Sequence, residues 1–420
     1  MTAVSSSAYE NNRTTLVLAH TAVLGGSSRS LTLALEHLRE MGCDVSLLAP
    51  SGPACQGWGA YTSRMIHWRP PLCAWLGLPL YSTYIPESSF DRFLYYFSDL
   101  VLLPIRLWKA ARCLSVLIER ERPSVMYLNS LTLFPLASLL ASLKKKYRFK
   151  VVWHIRETLN ERLNLLVYRW IASGIARVSD KVIAISSSEA KAFLSFCQVE
   201  VLYNSVPMDW TAVEPSEEKP AAPLIAMGSA YRPSKGVDDF IRTAELVKEK
   251  FPQVEFRLYA PHPIPPRFRG IYGLVRRILG LLSEKLAISL DLVEKLSGAE
   301  LNRSVQIIFD QSLTLDMYRA MTIYIRSDRS GSPWGRDVIE AMWAGLPVVA
   351  TGSSQEFVQD GVTGFLVPPC QPEIMSERIC SLLGNPDLLE QMSAASRCRA
   401  LDLFDPIRYG TRLSSIFEFV

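Results

Sequence analysis

Short apolar runs rich in β-branched residues recur along this chain, separated by longer stretches with helical spacing. The runs at 15–19, 45–48, 125–128, 150–153, 182–185 and 200–202 do not alternate with polar residues, so they read as strands buried on both faces of a parallel sheet. Between the first two, Leu31, Ala34, Leu35 and Leu38 form one stripe over 27–41, and Gly42 stands where a left-handed helix stop belongs. The pattern lapses at 209–223, where Pro and Glu crowd together as in an interdomain linker, and restarts at 224–227, 255–258, 305–308, 323–325, 348–350 and 365–367. The predicted fold class is α/β, two doubly wound Rossmann-like domains facing across a cleft, with ligands at the carboxyl ends of both sheets. The expected domains are 1–208 and 224–400, joined by the 209–223 linker and followed by a helical tail at 401–420. Within the second, 262–303 reads as an insertion, because it is far longer than one crossover helix needs.

Four places could carry chemistry. Gly25-Gly26 follows a strand and opens a helix, where backbone N–H groups can face an anion, although an ordinary strand-to-helix turn has the same pattern. Pro333-Trp334-Gly335 leads into a second helix, stopped by Gly345 and Pro347, whose N-terminus could hold a diphosphate. Glu340 stands about a turn into it. Its carboxylate could accept from two vicinal ribose hydroxyls, or it could be a surface glutamate favoured by the helix dipole. Lys235 follows a Pro-Ser turn at a helix start, which alone accommodates a lysine; a cation there could also stabilise charge developing on a leaving phosphate, a role that requires no metal. His154 ends the 150–153 strand, at the edge where such sheets bind ligands, although a lone histidine there is more often structural.

Composition narrows the classes. Lys plus Arg number 45 against 41 Asp plus Glu, too even a balance for wholesale nucleic-acid binding, so no nucleic-acid partner is expected. The eight cysteines include no Cys-x-x-Cys pair and have no histidine at ligand spacing, so no metal or redox site is expected and the thiols should be free. The N-terminus lacks a secretory pattern and 93–108 is interrupted by Asp99, Pro104 and Arg106, which together predict a cytoplasmic chain without a membrane span.

The Gly25-Gly26 turn, Trp153-His154-Ile155-Arg156-Glu157, the 228–236 segment with Lys235-Gly236, PWGRDVIEAMWAGLPVVATG at 333–352 and DGVTGFLVPP at 360–369 occur in a recognisable order. In that order the chain resembles retaining glycosyltransferases of the two-Rossmann GT-B fold, the large class of bacterial polysaccharide mannosyl- and glucosyltransferases. The resemblance runs from about residue 15 to the end. It implies transfer of a sugar from a nucleotide-diphosphate sugar, needing no cofactor, to a hydroxyl of a cell-surface polysaccharide or lipid-linked glycan precursor. It further implies that Glu340 binds the ribose, that Lys235 and His154 act on the donor, and that Gly25, Gly26, Gly335 and Arg336 line the donor site.

Two departures stand out. The first glutamate of the family's paired motif is replaced by Ser332, so either this serine or a neighbour such as Asp328 meets the donor sugar, or activity is altered. The family arginine of the basic motif is replaced by Ser229, with Arg232 a candidate substitute. These departures leave a non-catalytic nucleotide-sugar-binding subunit as one alternative, and a sugar-nucleotide epimerase or hydrolase as another. Finally, Phe268, Ile271, Leu274, Val275, Ile278, Leu282 and Leu286 can share one helical side with Arg267, Arg269, Arg276 and Arg277 nearby. The segment 267–286 is therefore a candidate for peripheral contact with the inner face of a membrane, although the same spacing suits packing on the C-terminal domain.

Overall fold

A computed structural model describes residues 13–68, 89–159, 165–212, 222–228, 233–260, 304–309, 313–418 and 420. Arg232 and the segments 262–303 and 267–286 lie outside the described residues. Contacts divide the chain into two units: of the described residues, the first takes in 13–68, those of 92–204 and 407–420, and the second 89–91 and those of 205–406.

Seven parallel strands form the sheet of the first unit, in the order β3-β2-β1-β4-β5-β6-β7. They are β1 (Thr14–Leu18), β2 (Asp44–Ala49), β3 (Arg64–His67), β4 (Val125–Leu128), β5 (Lys150–Ile155), β6 (Lys181–Ala184) and β7 (Val199–Val201). Six match the apolar runs within one or two residues. The exception is β3, an edge strand reading Arg-Met-Ile-His whose end residues are exposed, so it carries no apolar run to announce it. Helix α1 (Gly26–Glu40) covers one face of the sheet, with α2 (Cys55–Trp58) beside it. Helices α3 (Ser89–Glu121), α4 (Ala137–Tyr147) and α5 (Leu165–Val178) cover the other, and α6 (Ser187–Ala190) follows β6.

The second unit holds β8 (Leu224–Gly228), β9 (Glu255–Ala260), β10 (Gln306–Phe309), β11 (Ile323–Arg326), β12 (Val348–Thr351) and β13 (Gly364–Val367), parallel in the order β10-β9-β8-β11-β12-β13. Its described helices are α7 (Val237–Lys250), α8 (Leu315–Arg319), α9 (Arg336–Trp343), α10 (Pro372–Leu383) and α11 (Pro386–Leu403). The last helix, α12 (Pro406–Glu418), places Tyr409, Leu413, Ile416 and Phe417 in the core of the first unit beside α1, and Arg13 donates to the Phe417 carbonyl. Tyr409, Ile416 and Phe417 each stand three or four residues from Leu413, the spacing that puts all four on one helical face.

In each sheet the strand order reverses about one gap, between β1 and β4 and between β8 and β11. Crossovers leave such a gap in opposite directions, opening a crevice at the carboxyl ends of the strands. No helix among the described residues is long and apolar enough to cross a membrane, and the seven described cysteines are free thiols.

Candidate active site

Lys235, Ser332 and Gly335 lie about the switch point of the second sheet, where they meet Asp328 and Arg326. In the second unit Lys235 ends a single 3-10 turn, Pro233–Lys235, and Gly236 caps α7 at φ 64°. A Cβ at Gly236 would stand 1.9 Å from the Ser327 carbonyl, so both the handedness and the close approach require glycine. The Ser327 hydroxyl donates to the Gly236 carbonyl at 2.7 Å, fastening this turn to the end of β11. Lys235, one-third exposed, thereby meets the buried Asp328 at 2.6 Å.

Asp328 is saturated from within. Its Oδ1 accepts from the Ser330 N–H at 2.9 Å and hydroxyl at 2.5 Å, and its Oδ2 takes Lys235 and, at 3.3 Å, Arg326. Burial pushes the carboxyl up, but Lys235 and Arg326 outweigh it and hold the carboxyl below the usual range. Arg326 also pairs with Asp337 at 2.8 and 3.0 Å. Gly335 permits that approach, since a Cβ there would lie 2.7 Å from the Arg326 Nη1. Two cations and two carboxylates therefore alternate across the gap, and Lys235 is the more exposed of the cations. Its ammonium has three N–H groups, and Asp328 uses one.

Glu340 is not a surface glutamate: it is 1% exposed. Tyr318 donates to its Oε2 at 3.0 Å and Arg336 pairs with its Oε1 at 2.9 Å, one turn earlier on the helix. Arg336 is likewise buried and turned toward Glu340. Ser332 accepts through its backbone carbonyl from Arg326 at 2.9 Å, while its hydroxyl reaches only the Trp334 carbonyl at 3.4 Å. Because the hydroxyl holds nothing tightly, Ser332→Ala should change stability by less than about 0.5 kcal/mol and leave turnover near normal, checked by melting and steady-state rates.

In the first unit His154 is fully buried at the end of β5. The Tyr127 hydroxyl donates to its Nδ1, and an Arg156 N–H approaches the same nitrogen at 3.4 Å. An Nδ1 that accepts must leave the proton on Nε2. Burial, then the charge of Arg156, holds the ring well below the usual histidine range, so it is a neutral donor whose Nε2 has no partner among the described residues. Arg156 is fixed by the Asn129 and Asn204 side-chain oxygens, the latter at 2.8 Å. Glu157 turns elsewhere, accepting from the Ser130 hydroxyl and the Leu131 N–H at 2.8 Å each. It stands 3.9 Å from His20, at the end of β1. His20 went unnoticed in the sequence, though its place directly after the first strand is the same signal that singled out His154. Gly25 and Gly26 open α1, whose first turn carries no acidic residue; Gly25 is extended, exposed, and has open space where a Cβ would stand.

Burial raises the Glu157 carboxyl to about 7 against the pull of Ser130, the Leu131 N–H and Arg156. The folded state thus holds this proton more tightly than the unfolded chain, so its contribution to stability falls as pH rises from about 4.5 to 7. His20, lowered to about 4 by burial and Arg156, acts oppositely: its contribution is complete above 6.5 and is lost as pH falls toward 4. Glu157→Gln keeps an oxygen for Leu131 and can turn its amide toward Ser130. Relative to wild type, its Tm should therefore rise between pH 4.5 and 8, read by calorimetry; a pH-independent difference would remove Glu157 from this titration.

Residues 25–200 match the family model described as glycosyl transferase 4-like domain, and residues 222–385 the model described as glycosyl transferases group 1. The chain belongs to the GT-B glycosyltransferases, with a 4-like first half and a group 1 second half. Among curated relatives, the trehalose synthase of Pyrococcus horikoshii is 29% identical over 184 residues, 43% of this chain and 40% of that protein. The trehalose synthase of Thermococcus litoralis is 26% identical over 259 residues, 61% of this chain and 54% of that one. The chain thus spans about half the length of these relatives. The crystal structure of Anabaena Alr3699/HepE in complex with UDP-glucose superposes with a TM-score of 0.66 at 16% identity, covering 97% of this chain and 100% of that one, a likeness of fold.

Proposed function

We propose that this protein transfers a sugar, with retention of anomeric configuration, from a nucleotide-diphosphate sugar to a hydroxyl of a surface polysaccharide or lipid-linked glycan precursor. The observation that carries the reading is Lys235, fixed beside Asp328 at the switch point of the second sheet with N–H groups to spare. Such an ammonium suits a leaving diphosphate, whose charge grows as the bond to the sugar breaks. Family membership supports the reaction class, and a protein of the same fold has been crystallised with UDP-glucose.

In this reading the anomeric carbon loses its bond to the phosphate oxygen and gains one to the acceptor hydroxyl on the same face. The hydroxyl proton passes to the departing phosphate oxygen, so no side-chain base is assigned. His154 donates its Nε2–H to a sugar hydroxyl, and the exposed Gly25-Gly26 turn lets backbone N–H groups approach an anion. Glu340 would accept from ribose hydroxyls, a bidentate use that suits its two carboxylate oxygens. The nucleotide donor and glycan acceptor are thus the partners proposed.

A thermal-shift screen of UDP-, GDP- and ADP-sugars tests the donor, since a ligand at 100 times its Kd stabilises by about 2.7 kcal/mol. Nucleotide release that requires an added glycan acceptor is the expected second result. Release without acceptor would indicate hydrolysis, and donor binding without release across a broad acceptor panel would indicate a binding subunit; either overturns the transfer reading.

A further inference from the structure

We infer that His20 and Glu157 form a subsite at the switch point of the first sheet that binds one hydroxyl of a neutral sugar. The ligand class rests on the sugar-transfer reading above; the place rests on geometry. His20, Ser130 and Glu157 each stand two residues past the end of a strand, β1, β4 and β5 in turn. These strands are neighbours in the sheet, and the first two flank the gap where the strand order reverses. The Ser130 hydroxyl and the Leu131 N–H, at 2.8 Å each, fix the Glu157 carboxyl in place. It does not close on the histidine. His20 Nε2 lies 3.9 Å from Glu157 Oε1, beyond hydrogen-bond reach, whereas His37 and Glu40 on α1 meet at 2.9 Å. An oxygen set to one side of that gap can stand about 2.8 Å from both atoms. The two side chains are 12% and 16% exposed, so the gap is not sealed.

Packing alone does not account for a histidine here. Its Nδ1 is buried with no hydrogen-bond partner among the described residues, a cost that an apolar ring of similar shape would not carry. The Nε2 facing Glu157 supplies the reason to keep it. Burial lifts the Glu157 carboxyl to about 7, and burial with the charge of Arg156 lowers His20 to about 4 against the pull of the Asn129 backbone. Between those values the pair is largely uncharged, an acid that donates beside an imidazole that can accept. That combination suits a hydroxyl, which does both. The hydroxyl belongs to the sugar of the donor or to that of the acceptor, and the two arms of the experiment separate these sources.

The full chain labelled with ¹⁵N at histidine carries only five imidazole rings, and His20→Phe assigns the His20 signals by their loss. One arm titrates the methyl α-glycosides of glucose, galactose and mannose, standing for an acceptor; the other titrates UDP-glucose and GDP-mannose against UDP and GDP alone. The His20 ring signals should move in one arm while those of His37 stay. The Kd should rise about tenfold in His20→Phe and in Glu157→Ala, the effect of losing one hydrogen bond to the ligand. Because both side chains hold one hydroxyl, the double variant should lose little more than either single variant. Melting curves accompany each, and His20→Phe carries the result if Glu157→Ala, which takes an acceptor from Ser130 and Leu131, does not fold. His20 signals that move in neither arm, signals that move equally with UDP or GDP alone, or single losses that multiply in the double variant each overturn the subsite. Sugar binding here in a protein that releases no nucleotide with any acceptor would overturn the transfer reading and leave the subsite standing.

Discussion

Lys235→Ala is expected to lower kcat by 10²–10³-fold, about 2.7–4 kcal/mol of transition-state stabilisation, while changing donor affinity far less. The split follows from when the charge appears. A bound diphosphate already carries its ground-state charge, and the additional charge arises only as the sugar bond breaks. The fold should survive the substitution, because Asp328 retains Arg326 at 3.3 Å and both Ser330 donors when the ammonium is lost. Steady-state rates with a donor identified by thermal shift, alongside a melting curve, read the two quantities apart. Asp328→Asn keeps the shape but removes the charge that anchors Lys235, so it should lower kcat less than Lys235→Ala does. Near-normal turnover in Lys235→Ala would exclude the lysine from the chemistry.

Glu340→Ala should cost stability as well as binding. The substitution removes the carboxylate that pairs with the buried Arg336 guanidinium at 2.9 Å and takes this acceptor from the Tyr318 hydroxyl. Breaking a buried pair from one side costs about 3–5 kcal/mol. In a unit of roughly 200 residues this corresponds to a Tm lower by on the order of 10 °C. Glu340→Gln preserves an acceptor for Tyr318 and the side-chain volume, so it should melt closer to wild type and expose the binding role by itself. Weaker nucleotide affinity in the Gln variant, measured by calorimetry, is the expected result. A wild-type Tm for the Ala variant would mean that the pair with Arg336 contributes nothing to the fold.

Local pattern carried twelve of the strands because parallel strands under two helical layers must be apolar on both sides, and such runs cannot hide in a sequence. It missed β3 because an edge strand has no such obligation. It likewise placed Lys235, Glu340 and His154 beside strand ends or helix starts, positions that follow from chain order. What it could not supply was orientation. Arg336 and Glu340 are four residues apart, a spacing equally suited to an exposed pair and to a buried one. Only the packing of α9 against Tyr318 turned both inward. The pairing of Lys235 with Asp328 joins residues 93 apart, and it exists because β8 and β11 are neighbours and Gly236 lets the turn touch Ser327. The tautomer of His154 depends on Tyr127, which reaches it from the adjacent strand. The sequence by itself therefore determined the layers, the strand order's raw material and which residues stand at strand ends, since these depend on burial and local backbone preference. The tertiary structure alone decided which charges meet, which are spent on one another and which keep a free donor, because those depend on distances that no local pattern encodes.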